Sequence, residues 1–148
     1  MTTTMNKETT VPINSDADIV VARQKGRELA VHLGFSPTDS TLIATAISEL
    51  ARNIVLYAKH GEIIVGAVQN ASRHGIAVVA RDKGPGIPNI EQAMQGGYST
   101  SRSLGLGLPG VKRLMDQFEI VSTLGEGTTV TVRKWRDAER SYVLPGVS

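Results

Sequence analysis

Two apolar runs, residues 62–68 and 75–81, are divided by Asn70-Ala71-Ser72-Arg73-His74. Both runs are strand-like, and the link between them has turn chemistry, so the segment predicts an antiparallel hairpin. A sheet with an apolar face must bury it against another layer. The flanking sequence supplies that layer. Ser15 offers an N-cap with Asp18 three residues on, and Ile19, Ala22, Gly26, Leu29 and Leu33 follow at helical spacing, with Gly34 at the end. Ser36-Pro37-Thr38-Asp39 starts a second helix, combining a capping serine, proline at the first helical position and an acid in the first turn. Ile43, Ala46, Ile47, Leu50, Ile54 and Ala58 form its apolar stripe, and Gly61 lies just beyond.

Further strands are expected at residues 9–13, 120–124 and 128–134, the last two around Gly125-Glu126-Gly127. Val130 and Val132 alternate with Thr129, Thr131 and Arg133, so one face of the final strand is buried. Leu108, Val111, Leu114 and Met115 mark a third, shorter helix. Residues 83–104 show no sustained period and read as a loop or lid, and residues 136–148 read as a polar tail. The expected fold is α+β: a two-layer sandwich with a mixed, mostly antiparallel β-sheet covered on one face by three helices. The 148 residues fit one domain, with its core at about residues 9–135.

Three short motifs carry the chemistry. Glu49 and Asn53, in Glu49-Leu50-Ala51-Arg52-Asn53, share a helix face at the edge of the apolar stripe. Asparagine offers a neutral oxygen ligand for Mg²⁺ when phosphates carry the charge, and glutamate can orient and deprotonate a hydroxyl. Read alone, the pair is also what the solvated side of an amphipathic helix looks like. Asp82 ends the apolar strand Ile76-Ala77-Val78-Val79-Ala80-Arg81. A carboxylate only accepts hydrogen bonds, so it suits the exocyclic amine of adenine and repels the carbonyl oxygen of guanine. Gly84 and Gly86 leave the following loop bare enough for a flat ring, although an Asp-x-Gly turn is also a plain strand exit.

Gly105-Leu106-Gly107-Leu108-Pro109-Gly110 runs into a helix whose free N–H groups attract phosphate. The residues before it are not an apolar strand, so a dinucleotide-binding unit is excluded, and no Gly-Lys-Ser/Thr follows, so a Walker loop is excluded too. Arg102 is placed to reach a terminal phosphate, or is simply solvated. Thr128 or Thr129 could support the base, and Thr129 is the expected contact. His60 reads as a helix C-terminal residue favoured by the dipole, with no other histidine spaced to join it in a metal site.

Other classes are excluded by composition. No apolar stretch approaches the ~20 residues of a membrane span. The net charge is +2 with scattered basic residues, and aromatics make up 4%, which argues against nucleic-acid binding. There is no cysteine, so disulfides and thiolate metal sites are excluded, which suits a cytoplasmic location.

In this order the motifs resemble the N, G1 and G2 boxes of the GHKL ATP-binding family, which includes histidine kinases, Hsp90, gyrase and the anti-sigma-factor serine kinases. The similarity runs from about residue 9 to 135. Relatives of the Hsp90 and gyrase type call for further domains, and histidine kinases for a phosphoacceptor helix. A free-standing domain with Glu49 intact is similar to the anti-sigma-factor-type serine/threonine kinases, and the wording from Glu49 to Ala58 resembles the stressosome switch kinases among them. Sigma-sequestering members usually follow the asparagine with alanine and then a histidine, whereas Ile54 and Val55 follow here. The resemblance implies ATP and Mg²⁺ as cofactors, with Asp82 on adenine, Asn53 on the metal and Glu49 as base. It places Gly84, Gly86, Gly105, Leu106, Gly107, Leu108, Gly110 and Thr129 around the nucleotide, and Arg102 on the leaving phosphoryl group. It further implies STAS-domain scaffold or antagonist proteins as substrates, a PP2C-type phosphatase as the protein activated afterwards, and a possible homodimer. Two alternatives stand beside this: an anti-sigma factor that sequesters a sigma factor, and a nucleotide-sensing module with little catalysis.

Overall fold

In the computed structural model, residues 5–95 and 107–136 are described. Strand β1 (Met5–Ile13) leads into helices α1 (Asp16–His32) and α2 (Pro37–Asn53). A π-helical turn (Ile54–Ala58) extends α2, and the hairpin β2 (Gly61–Asn70) and β3 (Arg73–Asp82) follows. A short helix α3 (Ile90–Ala93), helix α4 (Gly107–Leu114) and the hairpin β4 (Gln117–Thr123) and β5 (Gly127–Trp135) complete the described chain.

The strands form one five-stranded sheet in the order β1-β2-β3-β5-β4. Every neighbouring pair is antiparallel, so the parallel pairing allowed for by a mixed sheet is not found among the described residues. The helices cover one face. Ile43, Ile47, Leu50 and Ile54 pack against Ile63, Val65, Ile76, Val78, Val130 and Val132, and all of these are buried. Burying each such side chain contributes about 1.5–3 kcal/mol. α1 lies close to α2 at Gly26, where an added Cβ would overlap Cδ1 of Ile47. On the opposite face Val68, Ala77 and Trp135 form a smaller cluster with Met5, and the Arg73 guanidinium sits 4.7 Å from the centre of the Trp135 ring.

Both expected helix starts are present. Asp18 accepts from the N–H groups of Asn14 and Ser15 at 2.8 and 3.2 Å, and Ser36 Oγ accepts from the Asp39 N–H at 3.1 Å. Other boundaries moved. β1 begins at Met5, four residues earlier than its apolar alternation suggests, because a register shift lies between Asn6 and Thr9 and Lys7 has φ 53°. The β2–β3 link is only Ala71-Ser72, with Asn70 paired to Arg73, so Arg73 and His74 belong to the strand. β4 starts at Gln117 rather than residue 120. α3 falls in a segment expected to be loop; the Asn89 side chain caps it by accepting from the Gln92 N–H at 3.0 Å.

Candidate nucleotide site

Asn53 is the last residue of α2, and a π-helical turn follows it directly. Such turns are frequent at functional sites. Leu50, Asn53, Ile54, Tyr57 and Ala58 form one wall of a cavity of about 240 Å³. Ala80 and Asp82 on β3, with Thr128 and Val130 on β5, form its floor. Pro85 to Pro88, Ala93, and Gly107 to Pro109 close the remaining sides. The walls are apolar and the polar groups few, the usual make-up of a site for a small organic ligand.

Asp82 is half-buried at the end of β3. Its Oδ1 accepts from the Gly84 N–H at 2.8 Å, which fixes the carboxylate against the first turn of the loop. An ionised carboxylate keeps further lone pairs for a ligand amine. Thr128 pairs with Asp82 across the ladder, so both side chains stand on the cavity face. Thr129 pairs with Arg81 and faces the other side. Thr128, and not Thr129 as expected, therefore lines the cavity, because successive strand residues alternate faces and the register sets the phase.

The glycines differ in their tasks. Gly86 lines the cavity at φ +82°, and a Cβ there would lie 2.7 Å from the Thr123 carbonyl oxygen. Gly84 does not line it. A Cβ at Gly84 would lie 2.6 Å from Cβ of Ala58, so this glycine lets the loop pass against the π-helical turn and not against a ring. The loop is also fastened to the β4–β5 turn, where the Gly125 N–H donates to the Pro85 carbonyl at 2.9 Å. Gly107 and Leu108 line the cavity at the start of α4, whereas Gly110 is buried within that helix and does not. Arg102, Gly105 and Leu106 lie outside the described residues.

Glu49 is 6% exposed and one of two buried polar residues among those described. Its Oε1 accepts from the Gly107 N–H at 3.1 Å, and its Oε2 lies 3.7 Å from Nε of Arg52. The second distance is an ion-pair contact, too long for a hydrogen bond. A buried carboxylate needs such partners. Glu49 does not line the cavity itself but is bonded to a residue that does. Glu49 thus lies beside the start of α4, and Asp82 and Thr128 lie side by side on the floor formed by the sheet. Among the cavity residues that sequence reasoning did not assign to the site are Tyr57, which is 61% exposed, and Ile87. Tyr57 has one usable signal, being an aromatic side chain four residues after Asn53.

Comparison with known proteins shows the family. The model of the histidine kinase-, DNA gyrase B-, and HSP90-like ATPases matches residues 38–138. The chain belongs to that ATPase family. It is 52% identical over 131 residues to the serine/threonine-protein kinase RsbT of Bacillus subtilis, covering 88% of this chain and 98% of that protein. It is 36% identical over 114 residues to an anti-sigma F factor of Pasteuria penetrans, covering 72% of this chain and 75% of the relative. Two solved structures share the fold. The RsbU and RsbW domains of a Mycobacterium tuberculosis protein match with a TM-score of 0.63 at 18% identity, over 90% of this chain; the chain spans 34% of that protein's length. The mycobacterial sensor histidine kinase MprB matches with a TM-score of 0.52 at 15% identity, over 86% of this chain and 97% of the other. No helix among the described residues of this family member is long and apolar enough to cross a membrane.

Proposed function

We propose that this chain is an ATP-dependent protein serine/threonine kinase that works as a regulatory switch. The observation that carries the reading is Asp82, a carboxylate ending a buried strand in an apolar cavity, with Thr128 directly across the ladder. Adenine presents an amine to that carboxylate. Asn53 lines the same cavity and offers a carbonyl oxygen. That single neutral donor suits Mg²⁺, which binds through few protein ligands and the substrate's phosphates. The free N–H groups at the start of α4 would receive phosphate oxygens.

Glu49 would take the proton of a substrate serine or threonine hydroxyl as its oxygen attacks the γ-phosphorus, and ADP leaves. The Gly107 N–H that Glu49 now accepts is one that a phosphate oxygen would claim, which frees the carboxylate for the hydroxyl. A STAS-domain scaffold or antagonist protein as substrate, release afterwards to activate a PP2C-type phosphatase, a cytoplasmic setting and a homodimer complete the reading. The kinship with RsbT supports it. The kinship with anti-sigma F factors favours one second reading, a protein that sequesters a sigma factor.

Labelled ATP incubated with the chain and a STAS-domain protein should transfer phosphate to serine or threonine. Glu49→Ala should cut that transfer by roughly 10²–10⁴-fold while ATP affinity stays within about threefold. Capture of a sigma factor with no phosphotransfer would favour the second reading.

A further inference from the structure

Ser122 stands behind Thr128, on the edge strand of the sheet, with no task in the nucleotide reading. It pairs with Thr128 across β4 and β5, and Thr128 pairs with Asp82 across β5 and β3. The three residues form a row across the cavity floor and its rear. Ser122 Oγ lies 2.7 Å from the Ile87 backbone nitrogen, 2.8 Å from Thr128 Oγ1 and 3.4 Å from the Gly127 carbonyl oxygen.

A backbone N–H only donates, so Ser122 Oγ accepts from Ile87 and keeps its single proton for another partner. At 2.8 Å Thr128 Oγ1 is at the usual O–H···O length, while the 3.4 Å to Gly127 is beyond it. Thr128 Oγ1 is the nearer acceptor for that proton, and the contact between the two hydroxyls can be donated from either side. When Ser122 donates, Thr128 is left with its own proton to direct elsewhere, and the cavity is the space it lines.

We propose that Ser122 is a positioning residue that fixes Thr128 as a hydrogen-bond donor toward the base. The inference rests on the reading of this cavity as an ATP site. Adenine offers an amine donor beside an acceptor ring nitrogen. Guanine and hypoxanthine offer a carbonyl acceptor beside a ring N–H. Asp82 as acceptor and Thr128 as donor complement the first edge and oppose the second. Asp82 is held in its role by its charge; Thr128 is held in its role by Ser122. The same serine oxygen fastens the backbone at Ile87, so the loop after Asp82 and the orientation of Thr128 are set by one group.

The test is calorimetric titration of the full chain with ATP and with inosine triphosphate, whose base carries the carbonyl and the ring N–H. Ser122→Ala should weaken ATP by about three- to tenfold and narrow the ATP-to-ITP affinity ratio, because Thr128 is then free to accept. Ser122→Thr, which keeps the hydroxyl, should restore both. In a Thr128→Val background Ser122→Ala should leave the ratio unchanged. A Ser122→Ala protein whose ratio equals that of wild type, whatever its ATP affinity, would reduce the serine to a structural prop and overturn the inference. If Ser122→Ala does not fold, Ser122→Cys, with its weak S–H donor, must show the narrowed ratio, and a wild-type ratio overturns the inference equally. Failure of the wild-type chain to bind ATP would overturn the nucleotide reading and this inference together. ATP binding with unaltered selectivity in the variants would overturn the inference alone.

Discussion

Thr128 and Thr129 are neighbours in sequence and identical in chemistry, yet only Thr128 lines the cavity. The difference comes from the pairing of Asp82 with Thr128, which puts Thr129 on the far face beside Arg81. Thr128→Val should weaken ATP by about three- to tenfold, the worth of one hydrogen bond, and Thr129→Val should leave it unchanged. Titration of both variants with ATP checks this, and an effect confined to Thr129→Val would reverse the assignment. The pair also marks where sequence reasoning stops at this scale. Asp82 and Asn53 were legible because a strand end and a helix edge each need only local pattern to locate. The choice between two adjacent threonines needs the register, which depends on residues 46 positions away. Tyr57 was hidden for a related reason. It lies within the π-helical turn, and the apolar stripe read from the spacing does not include it.

The π-helical turn and the loop after β3 are packed together as elements. Gly84 marks their contact, and a methyl group there would press on both Cα and Cβ of Ala58, at 2.9 and 2.6 Å. Gly84→Ala should destabilise the fold by about 1–3 kcal/mol and weaken ATP as well, since Ala58 lines the cavity. Urea unfolding and ATP titration of the one variant read both effects, and a protein unchanged in each would show that the turn and loop are not coupled. Helix starts were read well from sequence because Ser15, Asp18, Ser36 and Pro37 act locally. Strand ends were read poorly. The bulge near Lys7 and the two-residue turn at Ala71-Ser72 are pairing events, with φ of 53° and 54° at Lys7 and Ala71, both non-glycine residues. Nothing in their composition announces a left-handed backbone.

At the scale of the whole molecule the cavity depends on how closely the helical layer sits on the sheet. Gly26 sets the approach of α1 to α2, and the atom it makes room for is Cδ1 of Ile47. Gly26→Ala should cost about 1–3 kcal/mol by overpacking, despite alanine's better helix propensity. Ile47→Val removes that very atom and should cost about 0.5–1.5 kcal/mol alone. The double variant should be more stable than the sum of the two losses predicts, because the residues touch. Chemical denaturation of the three proteins checks this, and strict additivity would show that α1 is free to shift. The two-layer α+β plan itself was legible in the order of helical and strand patterns. The wholly antiparallel order β1-β2-β3-β5-β4 was not, because which strands become neighbours is decided by the packed whole.

The nucleotide reading turns on whether Asp82 selects a purine amine. Calorimetric titration of wild type and Asp82→Asn with ATP and with GTP, in the presence of Mg²⁺, tests it. Wild type should bind ATP at least about tenfold more tightly than GTP, and Asp82→Asn should lose most of that preference, since a charge-assisted hydrogen bond contributes about 1.5–3 kcal/mol. Equal affinities in wild type, or a preference that survives Asp82→Asn intact, would contradict it.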